Sequence, residues 1–345
     1  MLGFDSRAAR ATWTAALVLL LLWLVYLTRR TLFVFVLALL FAYLLAPLVD
    51  LLERLFPARA RAAALAVAFV IVFAIAATLV VQIGGRVVEQ AAALAKKFPE
   101  MAANWQQPAA GDHSLQAELI AKVRTEVAAR SSSVISALPG YGLQILSVAS
   151  NLIYVIIIPI LAFFFLKDAG AMRGHFLDLL EEGPRRTLFT DVISDVNLLL
   201  AHYMRALFLL STAAFAAYAI FFSIVGMPYA LLLAAAGAML EFIPMLGPAA
   251  AAGLSIVVAA VGGVSLLPVV IFIAAFRVIQ DYVISPHLMG RGVELHPLLI
   301  LFGVFAGAEI AGIAGSFLSV PVLALVRIVY VRIRKARLNL RRAAA

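Results

Sequence analysis

Glu241 is the only charged side chain between Ala206 and Phe276, and Pro244 follows three residues later in the run EFIPMLGP that ends at Pro248. A carboxylate in so long an apolar stretch is costly in lipid, so it must face protein, water or an ion. Beside a helix break it has two uses. Unwound carbonyls and the C-terminal end of a half-helix offer partial negative charge to a cation, so the carboxylate can carry a proton or bind Na+. Otherwise it is a protonated acid hydrogen-bonded to the turn. Pro244, Gly247 and Pro248 shape the break, because proline lacks the N–H a helix needs and glycine permits the turn. Arg277 and Asp281 stand four residues apart, on one face of the next apolar segment, with Gln280 between them. They either pair with each other or together hydrogen-bond a polar oxygenated solute such as a small diol. Glu309 is a further candidate, for function or for pairing with solvent or a second subunit, and Gly312, Gly315 and Pro321 mark an interruption just beyond it. His287 and His296 border the loop before that segment and read as capping or surface histidines.

Other chemistries lack their parts. The chain has no cysteine, which removes disulfide frameworks and thiolate sites, and it contains no H-E-x-x-H, no P-loop and no G-x-S-x-G. The expectation is a protein that is not an enzyme, with no cofactor and no metal. The net charge of +9 does not point to nucleic acid, because the basic residues gather beside apolar segments, where they set orientation and touch anionic lipid. The basic tail from Arg332 to Arg342 reads as such a lipid-facing anchor.

The elements that must position these residues belong to a membrane protein. Of 345 residues, 65% are hydrophobic and 13% charged, half the usual share of roughly 25%. Apolar runs at 12–27, 31–49 and 62–83 approach or reach the length of a spanning helix. The first is followed directly by Arg29 and Arg30 with no small-residue cleavage site, so it is an uncleaved helix. Residues 84–142 interleave charges with alanine and valine, as two amphipathic helices outside the bilayer would, with a turn at 107–111. A fourth span at 143–166 contains Pro159. Two short amphipathic helices joined at Gly183-Pro184 then lead to spans at 206–225 and 266–284.

Two segments resist this count. Residues 229–261 would make a straight helix of about 50 Å, too long for one upright span and too short for two with a turn, so two half-helices forming a re-entrant hairpin fit best. Residues 297–326 have a similar glycine-rich centre, and each segment follows an apolar span. The expected fold is therefore all-α and polytopic, with about six spanning helices and two broken or re-entrant hairpins related as an inverted repeat. Five segments follow: N-terminal helices (1–83), an extramembrane helical segment (84–142), a fourth span with cytoplasmic linker (143–205), a transport core (206–326) and a basic tail (327–345). Most basic residues fall on one side if both termini are cytoplasmic.

The runs FFFLKD at 163–168, GMPYALLLAAAGAMLEFIPMLGP at 226–248, QDYVISPHLMGRGVELHPLLILFGVFAGA at 280–308 and GIAGSFLSVP at 312–321 resemble the AI-2E family of bacterial inner-membrane proteins, also called autoinducer-2 exporters, PerM or UPF0118. The similarity covers nearly the whole chain. It departs at Arg205, which is followed by Ala206 and Leu207 where the family often has R-G-Q, and at Glu309, where the family varies. The resemblance implies export of a small solute, in some members the quorum-sensing signal autoinducer-2 and in others sodium/proton antiport, by homo-oligomers, with pentamers expected. The partners expected are a small-molecule or ion substrate, membrane lipid and further copies of the chain. The leading expectation is a secondary exporter in which Glu241 couples cation or proton movement to solute. A Na+/H+ antiporter, a pentameric passive channel and a non-transporting scaffold built on 84–142 are its rivals.

Overall fold

The computed structural model describes residues 6–55, 61–105, 152–289 and 295–343, and among these there are helices and turns but no strand. Seven stretches of the described residues are long and apolar enough to cross a membrane, and much of their outer surface is leucine, isoleucine, valine and phenylalanine. Lipid is the solvent such faces require. The chain is a multi-pass helical membrane protein.

The first helix, α1 (Ser6–Leu27), runs into α2 (Arg29–Glu53) through Thr28 alone, whose φ of −91° and ψ of 7° bend the backbone. Helical hydrogen bonds from Thr28 N to Leu24 O and from Leu32 N to Thr28 O carry through the bend, so no reversing loop forms at Arg29-Arg30. Every residue of α1 from Arg10 to Leu27 is exposed. A π-helical turn, Val80–Gly84, joins α3 (Arg61–Leu79) to α4 (Gly85–Trp105). The first expected amphipathic helix of 84–142 is thus present as α4, with Arg86, Glu89, Lys96 and Lys97 exposed and Leu94 buried. The turn at 107–111 and the second amphipathic helix lie outside the described residues, as does 143–151.

Helix α5 (Leu152–Asp178) carries Pro159 within it and continues past Lys167-Asp168. The next element differs from expectation. The linker and the fifth span are one helix, α6 (Pro184–Ile224), of 41 residues. Its start is set by Gly183, with φ of 154°, and by Pro184 in the first turn. Between Pro184 and Gly226 there is no glycine or proline, so a polar first half and an apolar second half share one unbroken backbone.

The first hairpin is α7 (Ala230–Leu240) and α8 (Leu246–Val261). Gly247 lies against the Leu240 carbonyl, and at the other end a methyl group on Gly262 would stand 2.5 Å from Pro228 Cγ. Both ends being close, the limbs are antiparallel. Then come α9 (Leu266–Ile279), a π-helical turn (Gln280–Ile284) and α10 (Ser285–Met289). The last helical stretch, α11 (Pro297–Ala343), is also a hairpin, because Ala311 (φ −142°, ψ 21°) and Gly312 (φ 62°, ψ −144°) leave helical geometry. Across that break Gly307 rests on the Gly315 backbone, the Ser316 hydroxyl donates to Val304 O at 3.1 Å, and Gly303 faces Leu323.

Two apolar clusters hold the hairpins. Leu94 of α4, Tyr218 and Phe222 of α6, Leu233 of α7, Val258 of α8 and Phe276 of α9 bury the first hairpin. Aromatic stacking reinforces it, with the Phe221 and Phe272 ring centroids 3.9 Å apart. Leu40 of α2, Leu200, Tyr203 and Leu207 of α6 and Val320 of α11 form the second cluster, around the other hairpin. The first hairpin therefore packs against the span that precedes it and also against α9, the span leading to the second hairpin.

Candidate functional site

Glu241 follows the last residue of α7 and is 7% exposed. The negative end of a helix dipole is an unfavourable neighbour for a carboxylate, so its charge must be met from elsewhere. Gln280 meets part of it: Gln280 Nε2 donates to Glu241 Oε2 at 2.7 Å, across 39 residues of sequence. The π-helical turn that begins at Gln280 adds a residue to the helical repeat, re-aiming side chains along that face. Gln280 is 3% exposed, and its Oε1 is buried with no hydrogen-bond partner. Arg277 supplies the opposite charge. Its Nη1 is 3.9 Å from Glu241 Oε1, whereas its Nε donates to Asp281 Oδ2 at 2.8 Å, so Asp281 is the closer partner and Glu241 the second.

The turn beyond Glu241 is tight. Leu246 N bonds to Pro244 O at 2.7 Å over Met245, whose φ of 63° and ψ of −52° are strained for a side chain with a Cβ. Phe242 N bonds to Met239 O and Ile243 N to Leu240 O, which satisfies carbonyls left open where α7 ends, and Gly247 N bonds to Ile243 O across the turn. Gly247 is required by space, since a Cβ there would collide with the Leu240 carbonyl. Pro244 lies in this turn, and Gly247 and Pro248 in the first turn of α8.

Glu241, Arg277, Gln280 and Asp281 come together, and Glu309 does not join them. It is exposed, three residues before Gly312, with no ion pair to this group. Gly312 and Gly315 sit at and beyond the second break, and Pro321 lies inside the second limb. His287 Nδ1 lies 2.6 Å from Val283 O, and His296 Nδ1 accepts from Leu298 N at 3.3 Å, capping α11. Arg332, the first residue of the basic tail, is paired with α6. Its Nε and Nη2 donate to Asp195 at 2.6 and 2.8 Å and its Nη1 donates to Asp191 at 2.8 Å. A fork of donors matched to two carboxylates holds this one residue to α6, while Arg334, Lys335 and Arg337 are exposed.

Three supporting contacts have no local signature. The Ser211 hydroxyl donates to Ala238 O at 2.7 Å, tying α6 to α7 near Glu241. The ring of Tyr218 lies over Gly237, where a methyl group would stand 2.5 Å away. Phe242 touches Phe317 of the second hairpin. A hydroxyl in an apolar run was the one available hint for Ser211.

Glu241, at the end of one short apolar helix and faced by Arg277 and Gln280 of the next span, is thus a buried carboxylate inside a multi-pass helical membrane protein. The chain belongs to the AI-2E family transporter family, which matches residues 15–335. Several similar relatives carry the name "Putative transport protein". YrrI of Bacillus subtilis (strain 168) is 29% identical over 181 residues, 52% of this chain and 51% of its own length. YueF of the same strain is 28% identical over 191 residues, 55% and 52% respectively. MT0215 of Mycobacterium tuberculosis (strain CDC 1551 / Oshkosh) is 34% identical over 125 residues, 35% and 34%. The chain spans about half the length, or less, of the curated relatives it matches.

Proposed function

We propose that this protein is a secondary transporter of the bacterial cytoplasmic membrane that exports a small polar solute, a signal of the autoinducer-2 kind or a similar metabolite, with Glu241 coupling solute to protons or Na+. The observation that carries the reading is the placement of Glu241, buried at the end of α7, bonded to Gln280 and within 3.9 Å of Arg277. With Arg277 charged and both carboxylates ionised, the Glu241, Asp281 and Arg277 group has one negative charge in excess. One proton or one Na+ balances it. Binding that cation releases Arg277 from Glu241 toward Asp281, and the unpartnered Gln280 Oε1 offers a hydrogen-bond acceptor to a solute hydroxyl. The two hairpins are re-entrant from opposite sides, both termini are cytoplasmic, 206–326 is the transport core, and the protein works as a homo-oligomer.

The test is flux in proteoliposomes under an imposed pH or Na+ gradient, with a labelled small diol and an entrapped pH dye as probes. Uphill accumulation in the wild type, lost by about tenfold or more in Glu241→Gln while the protein stays folded, is the expected result. Equal flux and equal pH dependence in the variant would remove the coupling role. Flux that only ever runs downhill would assign a passive channel, and cation exchange without solute a Na+/H+ antiporter.

A further inference from the structure

Gln90 and Leu94, four residues apart on α4, reach the first hairpin at its open end, away from Glu241. Gln90 Oε1 accepts from Leu232 N at 2.9 Å, across 142 residues of sequence. Leu232 lies in the first turn of α7, where backbone N–H groups have no partner within the helix. Tyr229, at the head of that helix, provides no side-chain cap and is held at a left-handed φ of 59°. A distant glutamine therefore supplies the acceptor that the local sequence lacks. Leu94, 6% exposed, enters the same cluster as Leu233 and Val258, one from each limb of the hairpin. The charged residues of α4, Arg86, Glu89, Lys96, Lys97 and Glu100, are all exposed.

Helix α7 has 11 residues and is about 16 Å long, with Gly237 close under the Tyr218 ring. So short a helix moves as one piece. Whatever fixes its first turn fixes the carboxylate that follows its last.

We infer that Gln90 is a positioning residue for the Glu241 site, pinning the first hairpin to α4 so that the two move as one body. The pin rests on geometry alone, and only its effect on flux rests on the transport reading above.

Three measurements on the full chain in nanodiscs or proteoliposomes test this. Hydrogen exchange of residues 232–241 should be roughly fivefold faster in Gln90→Leu and return to the wild-type rate in Gln90→Glu, which keeps an acceptor. The chain has no cysteine, so spin labels on Lys97→Cys and Ala250→Cys, both exposed in the native chain, report the distance from α4 to the hairpin. That distance distribution should broaden with Gln90→Leu and stay narrow with Gln90→Glu. Proton flux under an imposed pH gradient, read by an entrapped dye, should fall with the first variant and persist with the second. Unchanged exchange and an unchanged distance in Gln90→Leu overturn the pin, as does equal loosening in both variants. If the wild type itself carries no gradient-driven flux, the transport reading fails while exchange and distance still decide the pin.

Discussion

Phe242, at the tip of the first hairpin, meets Phe317, in the second limb of the other, with ring centroids 5.8 Å apart and planes inclined at 57°. Phe242 is joined by a peptide bond to Glu241, so the second hairpin touches the side chain of the residue next to the buried carboxylate. Replacing each ring by alanine, singly and together, should reveal a coupling of about 1 kcal/mol in a double-mutant cycle on thermal unfolding in detergent. Additive losses would mean that the rings touch without energetic linkage.

The second hairpin closes on glycine. A methyl group at Gly307 or Gly315 would collide with the backbone of the other residue. Gly307→Ala and Gly315→Ala should each cost about 2 kcal/mol or more by forcing the limbs apart. Gly253, in α8 with nothing within 4 Å of an added methyl, is the matched control. Gly253→Ala should be neutral or stabilising by roughly 0.5–1 kcal/mol. Melting midpoints of the purified protein separate the two classes.

Arg332 bridges α11 to Asp191 and Asp195 of α6 with three donors. All three side chains are partly exposed, so Arg332→Ala should cost only about 1 kcal/mol. Arg332→Lys should recover part of that, since it keeps the charge and loses the fork. The deficit should shrink in about 1 M salt, where charges are screened within roughly 3 Å. Melting at low and high salt checks both points; a deficit that ignores salt would point to packing by the arginine stem instead.

Met245 holds a positive φ at the tip of the first hairpin and is 42% exposed. Met245→Gly relieves a conformation that costs an L-residue about 1–2 kcal/mol, partly offset by the larger entropy glycine loses on folding. A net gain of up to about 1 kcal/mol in unfolding stability is expected. A loss would show that the methionine side chain, not the turn, is what the tip requires.

The break beside Glu241 was legible because length, an isolated charge and Pro-x-x-Gly-Pro chemistry all point to one place. The i,i+4 spacing likewise placed Arg277 beside Asp281. The continuity of α6 was harder to read, since polar and apolar halves look like separate elements when composition is weighed and breakers are not. No proline or glycine stands at Arg29-Arg30, and the helix passes through with a bend. Gln90 gave no sign at all, because a capping partner 142 residues away has no pattern within its own helix. Glu309 does not share the surroundings of Glu241, for the second hairpin turns at Gly312 and leaves that carboxylate exposed.

Helix α6 carries Asp191 and Asp195 near one end and Ser211 and Tyr218, which hold α7, toward the other. At about 1.5 Å per residue its 41 residues form a rod of about 60 Å. A stiff rod of that length is a lever: a tilt of only about 5° about one end displaces the other by roughly 5 Å, close to one helical pitch. Ser211, about 40 Å from the polar end, would shift by roughly 3.5 Å and take α7 with it through its bond to Ala238 O.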